Sequence, residues 1–236
     1  MNPYTGRKSV LLTGATGQLG SALIDALSSS FDIIALTRQS PSLLPRLAVE
    51  VFDAENNSKF ERALREVSCD LSDMSQIIST VTAISALVPR VDHVINCAGD
   101  SQFLGNMIDA HFIADAAINQ FRLHVIAPAV ICSVLFHSKW KHMKTEDRSV
   151  SIVNVSSISG LKLFPDTGQG MYAASKSAEN MATIHMASEY SRYGIRVNAV
   201  CPTSFPGIIP IKTVVDVIVA ALDSQTTGQL YKIDAQ

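Results

Sequence analysis

Short apolar runs alternate with longer stretches of helical period along almost the whole of this 236-residue chain, and no other feature limits its fold as strongly. Residues 9–13, 32–37, 91–97, 149–155, 196–200 and 229–233 read as strands, and 18–28, 73–88, 109–138, 172–193 and 211–222 as helices. The strands are apolar nearly throughout, as a sheet covered on both faces requires. Strand–helix–strand order joins parallel neighbours through crossover helices. The pattern predicts an α/β fold, a doubly wound and mostly parallel sheet with helices on both faces.

Residues 39–69 are less regular. Pro41 and Pro45 break any helix there. Both 48–53 and 64–69 suit a third strand. We prefer 64–69, because Asp70-Leu71-Ser72-Asp73 then closes a strand and opens a helix, with Ser72 or Asp73 as N-cap. A helix over 59–65 would precede it.

Hydrophobic residues make up 47% of the chain and charged residues 17%, enough for a large core and too little charge for disorder. One domain over 1–236 is expected. The net charge of −2 gives no electrostatic reason to expect nucleic acid or an anionic membrane as partner. The basic run from His137 to Lys144 meets Glu146 and Asp147 at once and reads as a solvated loop. Cys69, Cys97, Cys132 and Cys201 lack the paired spacing of a zinc site, so no metal is expected. Their apolar settings suit reduced, buried thiols and a cytoplasmic protein. Near the amino terminus Val10-Leu11-Leu12 is too short for a signal peptide. The longest apolar run, 125–136, carries Pro128 and is shorter than the roughly 18 residues of a span.

Chemistry-bearing residues fall at the strand ends. Thr13-Gly14-Ala15-Thr16-Gly17-Gln18-Leu19-Gly20 follows the first strand and opens a helix, so its backbone N–H groups suit a pyrophosphate. The spacing G-x-x-G-x-x-G alone also fits a turn with only a packing role. Tyr172 and Lys176 stand one helical turn apart and share a face. A free phenol titrates near pH ~10, and a nearby ammonium favours the phenolate, which makes the pair a general acid/base. With the Ser157 hydroxyl holding a substrate oxygen and a dinucleotide exchanging hydride, this is carbonyl/alcohol redox chemistry. A Tyr and a Lys at this spacing also occur on exposed helix faces without any role.

In order and spacing these motifs resemble the short-chain dehydrogenase/reductase family. The likeness rests on the Thr13-Gly14 turn, Asp70-Leu71, Asn96-Cys97-Ala98-Gly99, Ser157, Tyr172 with Lys176, and Arg196-Val197-Asn198-Ala199-Val200-Cys201-Pro202. It implies a Rossmann-like sheet of seven strands, a nicotinamide cofactor, a small carbonyl or alcohol substrate and a homodimer or homotetramer. It also implies Tyr172 as acid/base, Lys176 as the group that tunes Tyr172 and binds ribose, and Ser157 as the holder of the substrate oxygen, with Ser156 ranked second. Gly14, Thr16, Gly17, Gln18, Leu19, Gly20, Leu71, Ala98, Gly99, Pro202 and Thr203 would border the cofactor. Asp70 would meet the adenine amino group, or serve only as a helix cap, and Asn96 would brace the central strands.

The second strand ends in Thr37-Arg38-Gln39, with no carboxylate to repel a 2'-phosphate and a guanidinium to bind one. NADP(H) is therefore expected over NAD(H), against the alternative of a solvated arginine. Three departures from the family pattern matter. The glycine spacing is that of its longer-chain branch. His124 stands where an asparagine usually supports the proton relay, and either passes protons itself or is a packed or interface histidine. Residues 203–210 leave little chain for a substrate lid, which implies an open site suited to a bulky or carrier-held substrate. Phe103, Leu104, Leu161, Leu163 and Phe164 would wall it, or belong to a subunit interface. The rival reading is a non-redox or cofactor-sensing member of the same fold.

Overall fold

The computed structural model describes residues 7–38, 50–53, 58–61, 64–100, 102–143 and 149–235. Pro41, Pro45 and the acidic end of the basic run, Glu146 and Asp147, lie outside these residues. In chain order the elements are β1 (Ser9–Thr13), α1 (Gln18–Leu27), β2 (Asp32–Thr37), β3 (Glu50–Asp53), β4 (Ser58–Glu61), β5 (Leu64–Ser68) and α2 (Met74–Leu87). There follow β6 (His93–Asn96), α3 (Ala110–Phe121), α4 (Ala127–Ser138), β7 (Ser151–Val155), α5 (Gly170–Ser191), β8 (Arg196–Pro202), α6 (Ile211–Asp223) and β9 (Leu230–Ile233).

Seven strands form one parallel sheet in the order β5-β2-β1-β6-β7-β8-β9. The strand order reverses between β1 and β6, and a crevice opens at the carboxyl ends of strands at such a point. Side chains alternate across the sheet. Leu11 of β1 enters the apolar layer shared with α2, α4 and α5, while Val10 and Leu12 enter the layer shared with α1 and α6. Burying both faces explains why the inner strands are largely apolar, while the edge strands β5 and β9 are only partly buried and carry Arg65, Glu66 and Lys232.

The third sheet strand is β5, as preferred, and Asp73 is the N-cap of α2, its Oδ1 accepting from the Ser75 and Gln76 N–H groups at 2.9 and 3.1 Å. The helix expected over 59–65 is absent. Instead β4 pairs antiparallel with β3 in a separate hairpin, with Val51 opposite Phe60. Phe60, Leu64 and Val67 have helical spacing in the sequence, but backbone pairing on both sides of residues 62–63 overrides it.

The helix expected over 109–138 carries a π-helical turn, Arg122–Ile126, between α3 and α4. The Ala127 N–H bonds to the Arg122 carbonyl, five residues back, and Pro128 contributes no N–H to the ladder. The helical stretch Met107–His142 is long and apolar enough to cross a membrane by length and composition, which the shorter run of 125–136 does not suggest. Only 33% of its most apolar window is buried in the fold.

Candidate active site

The glycine turn is held by close contacts that only glycine allows. Gly14 has a φ of +69°, and a Cβ there would lie 2.7 Å from Ala98 Cα. A Cβ on Gly20 would lie 2.1 Å from the Gly14 carbonyl oxygen. The Gly17 N–H bonds to that same oxygen at 3.0 Å. Among the described residues no side chain caps α1, and its first-turn N–H groups have no partner within the helix. Thr16, Gly17 and Gln18 are exposed above this N-terminus, while Leu19 is buried in the core below it. The cradle thus fits an anionic pyrophosphate.

Thr13 ties the turn to the next loop, its hydroxyl oxygen accepting from the Cys97 and Ala98 N–H groups, both at 3.0 Å. Asn96 donates to Asn154 Oδ1 at 2.8 Å, and Asn154 donates to Thr183 Oγ1 at 2.8 Å. These bonds join β6 to β7 and β7 to α5. On the other side of the switch point Asp70 Oδ1 accepts from the Ser72 backbone and hydroxyl at 2.9 and 2.8 Å. Those bonds, aided by the charge of Arg38, hold the Asp70 carboxyl below its usual range. Arg38 is exposed at the end of β2 and close enough to Asp70 for that charge to act. Leu71 is buried against the core beneath them.

Ser157, Tyr172 and Lys176 come from the end of β7 and the first turns of α5. Ser157 Oγ caps the short 3-10 turn Ile158–Gly160, accepting from the Ser159 N–H at 3.1 Å. That turn seats on α5 through Gly160, where a Cβ would lie 2.7 Å from the Lys176 carbonyl carbon. Ser156 faces the other way, its hydroxyl donating to the Lys176 carbonyl at 3.3 Å. Tyr172 is half-buried, with Phe103 and His124 each 5.8 Å away between ring centroids. Lys176 is 3% exposed and its Nζ donates to the Val155 carbonyl at 3.0 Å and to Glu179 Oε2 at 2.8 Å. Gly99 forms the floor above, since a Cβ there would sit 3.6 Å from His124 Nε2 and 3.8 Å from Lys176 Nζ.

His124 lies in the π turn, fully buried. Its Nε2 accepts from the Asp100 N–H at 3.0 Å, so the ring proton belongs on Nδ1, which stands 2.9 Å from Ser175 Oγ. Ser175 in turn donates to the Tyr172 carbonyl at 2.7 Å. Burial, and then the charge of Lys176, push the His124 imidazole down to about 3.

Pro202 and Thr203 close β8, both buried, and the Thr203 N–H bonds to the Ile233 carbonyl at 2.8 Å. Loops 99–109 and 161–169 are joined by the Gly105 N–H to Gly168 carbonyl bond of 3.0 Å. Leu161, Leu163 and Phe103 are exposed and Phe164 is half-buried. Glu179 is the site residue that the motifs did not reveal; its only signal was an acid three residues beyond Lys176, a spacing that is common on exposed helices.

A parallel sheet with its strand order reversed beside a glycine turn, and a Ser-Tyr-Lys group at the next strand end, define a dinucleotide-binding oxidoreductase fold. The chain belongs to the short chain dehydrogenase family, whose family model matches residues 8–207. It is similar to protein FixR of Bradyrhizobium diazoefficiens, 30% identical over 83% of this chain and 66% of that one. It is also similar to meso-2,3-butanediol dehydrogenase of Serratia marcescens, 28% identical over 83% of this chain and 71% of that one. Among solved structures, a short chain dehydrogenase/reductase oxidoreductase from Brucella ovis, in complex with a partially ordered NAD, superposes with a TM-score of 0.74. That structure is 25% identical and covers 97% of this chain and 100% of its own. Solved structures of this fold hold NAD or NADP.

Proposed function

We propose that the chain is an NADPH-dependent oxidoreductase that interconverts a carbonyl and an alcohol. The observation that carries this reading is the seating of Ser157, Tyr172 and Lys176 on one rigid assembly of β7, its 3-10 turn and α5, beside the Gly99 floor. When bound, the nicotinamide supplies or accepts the hydride. Gly14, Thr16, Gly17, Gln18 and Gly20 would hold its pyrophosphate by backbone groups, and Asp70, Leu71, Ala98, Gly99, Pro202 and Thr203 would border the rest.

Ser157 is the better oxygen holder of the two serines. Its Oγ accepts one bond and keeps its proton to donate, whereas Ser156 Oγ is spent on the Lys176 carbonyl. Tyr172 gives its proton to the substrate oxygen in reduction and takes it back in oxidation. Lys176 has three N–H groups and uses two on Val155 and Glu179, which leaves one for the cleft. His124 holds the Asp100 backbone and Ser175 with both nitrogens, so we assign it a positioning role in place of a proton relay. The open apolar rim around Phe103, Leu161 and Leu163 suits a bulky or carrier-held substrate.

Tyr172→Phe is expected to lower kcat by about 100- to 10,000-fold, the usual worth of a positioned acid/base. Ser156→Ala should cost far less than Ser157→Ala. Unchanged turnover in Tyr172→Phe with a carbonyl substrate and NADPH would rule the mechanism out, whereas a wild type that binds NADPH and turns over no carbonyl would favour a cofactor-sensing role. For the cofactor, Arg38→Ala should weaken NADPH binding by about 10- to 100-fold, the loss of a charged hydrogen bond, and leave NADH binding nearly unchanged. Equal losses for both cofactors would refute the 2'-phosphate role.

A further inference from the structure

Lys176 and Glu179 form an ion pair at 2.8 Å with both side chains 4% exposed. Two elements fix the ammonium. The Val155 carbonyl holds it from the sheet and the Glu179 carboxylate holds it from its own helix. A buried pair of this kind is weak evidence for stability, because apolar side chains of similar volume usually serve the fold as well. Its place, directly beneath Gly99 and one helical turn from Tyr172, bears on the chemistry instead.

Resting on the reading of Tyr172 and Lys176 as the acid/base pair, we propose that Glu179 is a positioning residue that anchors the Lys176 ammonium and offsets its charge at the Tyr172 phenol. An unpaired ammonium beside a phenol favours the phenolate strongly, and a paired one presents a dipole of much shorter range. The charge that Tyr172 feels is then set by the pair.

The other groups around the site do not supply this balance. His124, from the π turn, is held neutral by burial. Burial pushes the Cys97 thiol, behind β6, up to about 12 and the Cys201 thiol, on β8, up to about 11. Asp100 turns its carboxylate to the Gln102 N–H at 2.9 Å. The Glu179 carboxyl itself is pushed up by burial, and the charge of Lys176 opposes that push.

The test is a titration of phenolate absorbance in the near ultraviolet, which needs neither substrate nor cofactor. Wild type and Glu179→Gln are each compared with their Tyr172→Phe counterparts, so that the difference isolates Tyr172. The glutamine keeps an acceptor for Lys176 without the charge, and the Tyr172 midpoint should fall by about one pH unit. An unchanged midpoint overturns the proposal. Should Glu179→Gln fail to fold, the double variant Lys176→Met/Glu179→Met removes both charges at similar volume. Its Tyr172 midpoint should rise by less than about one pH unit, the reduced pull of a paired ammonium, and a larger rise would show that the Lys176 charge acts without offset. A Tyr172→Phe protein that keeps its turnover overturns the acid/base reading and leaves the titration result standing.

Discussion

Two histidines are held neutral in the interior by different means, and both make stability depend on pH. His124 has a partner for each nitrogen. His93, at the start of β6, is fully buried with neither ring nitrogen partnered among the described residues, and packs edge-on to Phe31 at 5.4 Å. Burial, then the charges of Lys8, Arg196 and Arg90, push its imidazole down to about 3. Unfolded, both rings titrate near 6.5, so between pH 6.5 and about 3 the unfolded chain binds more protons. Their contribution is fully present above pH 6.5 and is lost as pH falls through that window, by up to about 1.4 kcal/mol per pH unit for each ring. Glu179, pushed up by burial, opposes part of this loss. Urea unfolding at pH 7, 6 and 5 should show the decline. His93→Leu should flatten it by about half and leave stability at pH 7 undiminished, since it also removes two unpartnered polar atoms. A stability that does not change between pH 7 and 5 would contradict both assignments.

The first turn and its neighbours behave as one element. Gly14 touches Ala98, Gly20 touches the Gly14 carbonyl, and Thr13 holds the Ala98 N–H, so β1, α1 and the loop after β6 interlock. Gly20→Ala drives its new methyl into backbone and should destabilise the protein by about 1–3 kcal/mol along with its dinucleotide affinity. At Gly17 a Cβ meets only the Gly14 oxygen, at 3.4 Å, so Gly17→Ala should keep its melting temperature and lose binding alone. Melting curves and an NADPH titration separate the two outcomes. These interlocks also mark what the sequence makes legible. Every sheet strand and helix with a strong period stands where its pattern puts it, because burial on two faces leaves little freedom. The hairpin of β3 and β4 was missed because Phe60, Leu64 and Val67 fit a helix as well as a strand, and only pairing decides. The π turn was hidden because 109–138 keeps one apolar character through it, with Pro128 as its single visible sign. Tyr172, Lys176 and Ser157 were visible as an ordered motif. The Glu179 contact was not, since an acid three residues from a lysine carries no mark of burial.

At the scale of the whole molecule the exposed faces of the long helix and of α5 carry large apolar side chains among polar ones such as Asp115, Asn119 and Ser177. Phe112 is 79% exposed, and Ile118, Ile126, Met181 and Ile184 each stand well out of the core. Scattered apolar residues are ordinary on a surface, but a run along two adjoining helices, on a stretch as apolar as Met107–His142, is characteristic of a buried interface. We propose that a second copy of the chain covers it. Such a contact would also stiffen α5, the helix that carries Tyr172, Lys176 and Glu179, and so couple association to the geometry of the site. The expected result is a dimer or tetramer by light scattering at micromolar concentration. Met181→Glu/Ile184→Glu should reduce the mass to that of one chain, because it places two charges on a surface that pairing would desolvate. Since both residues are on the outer face, the melting temperature of the separated chain should reflect only the lost association. A wild-type protein that scatters as a monomer would leave these helices as bare surface and end the argument for coupling.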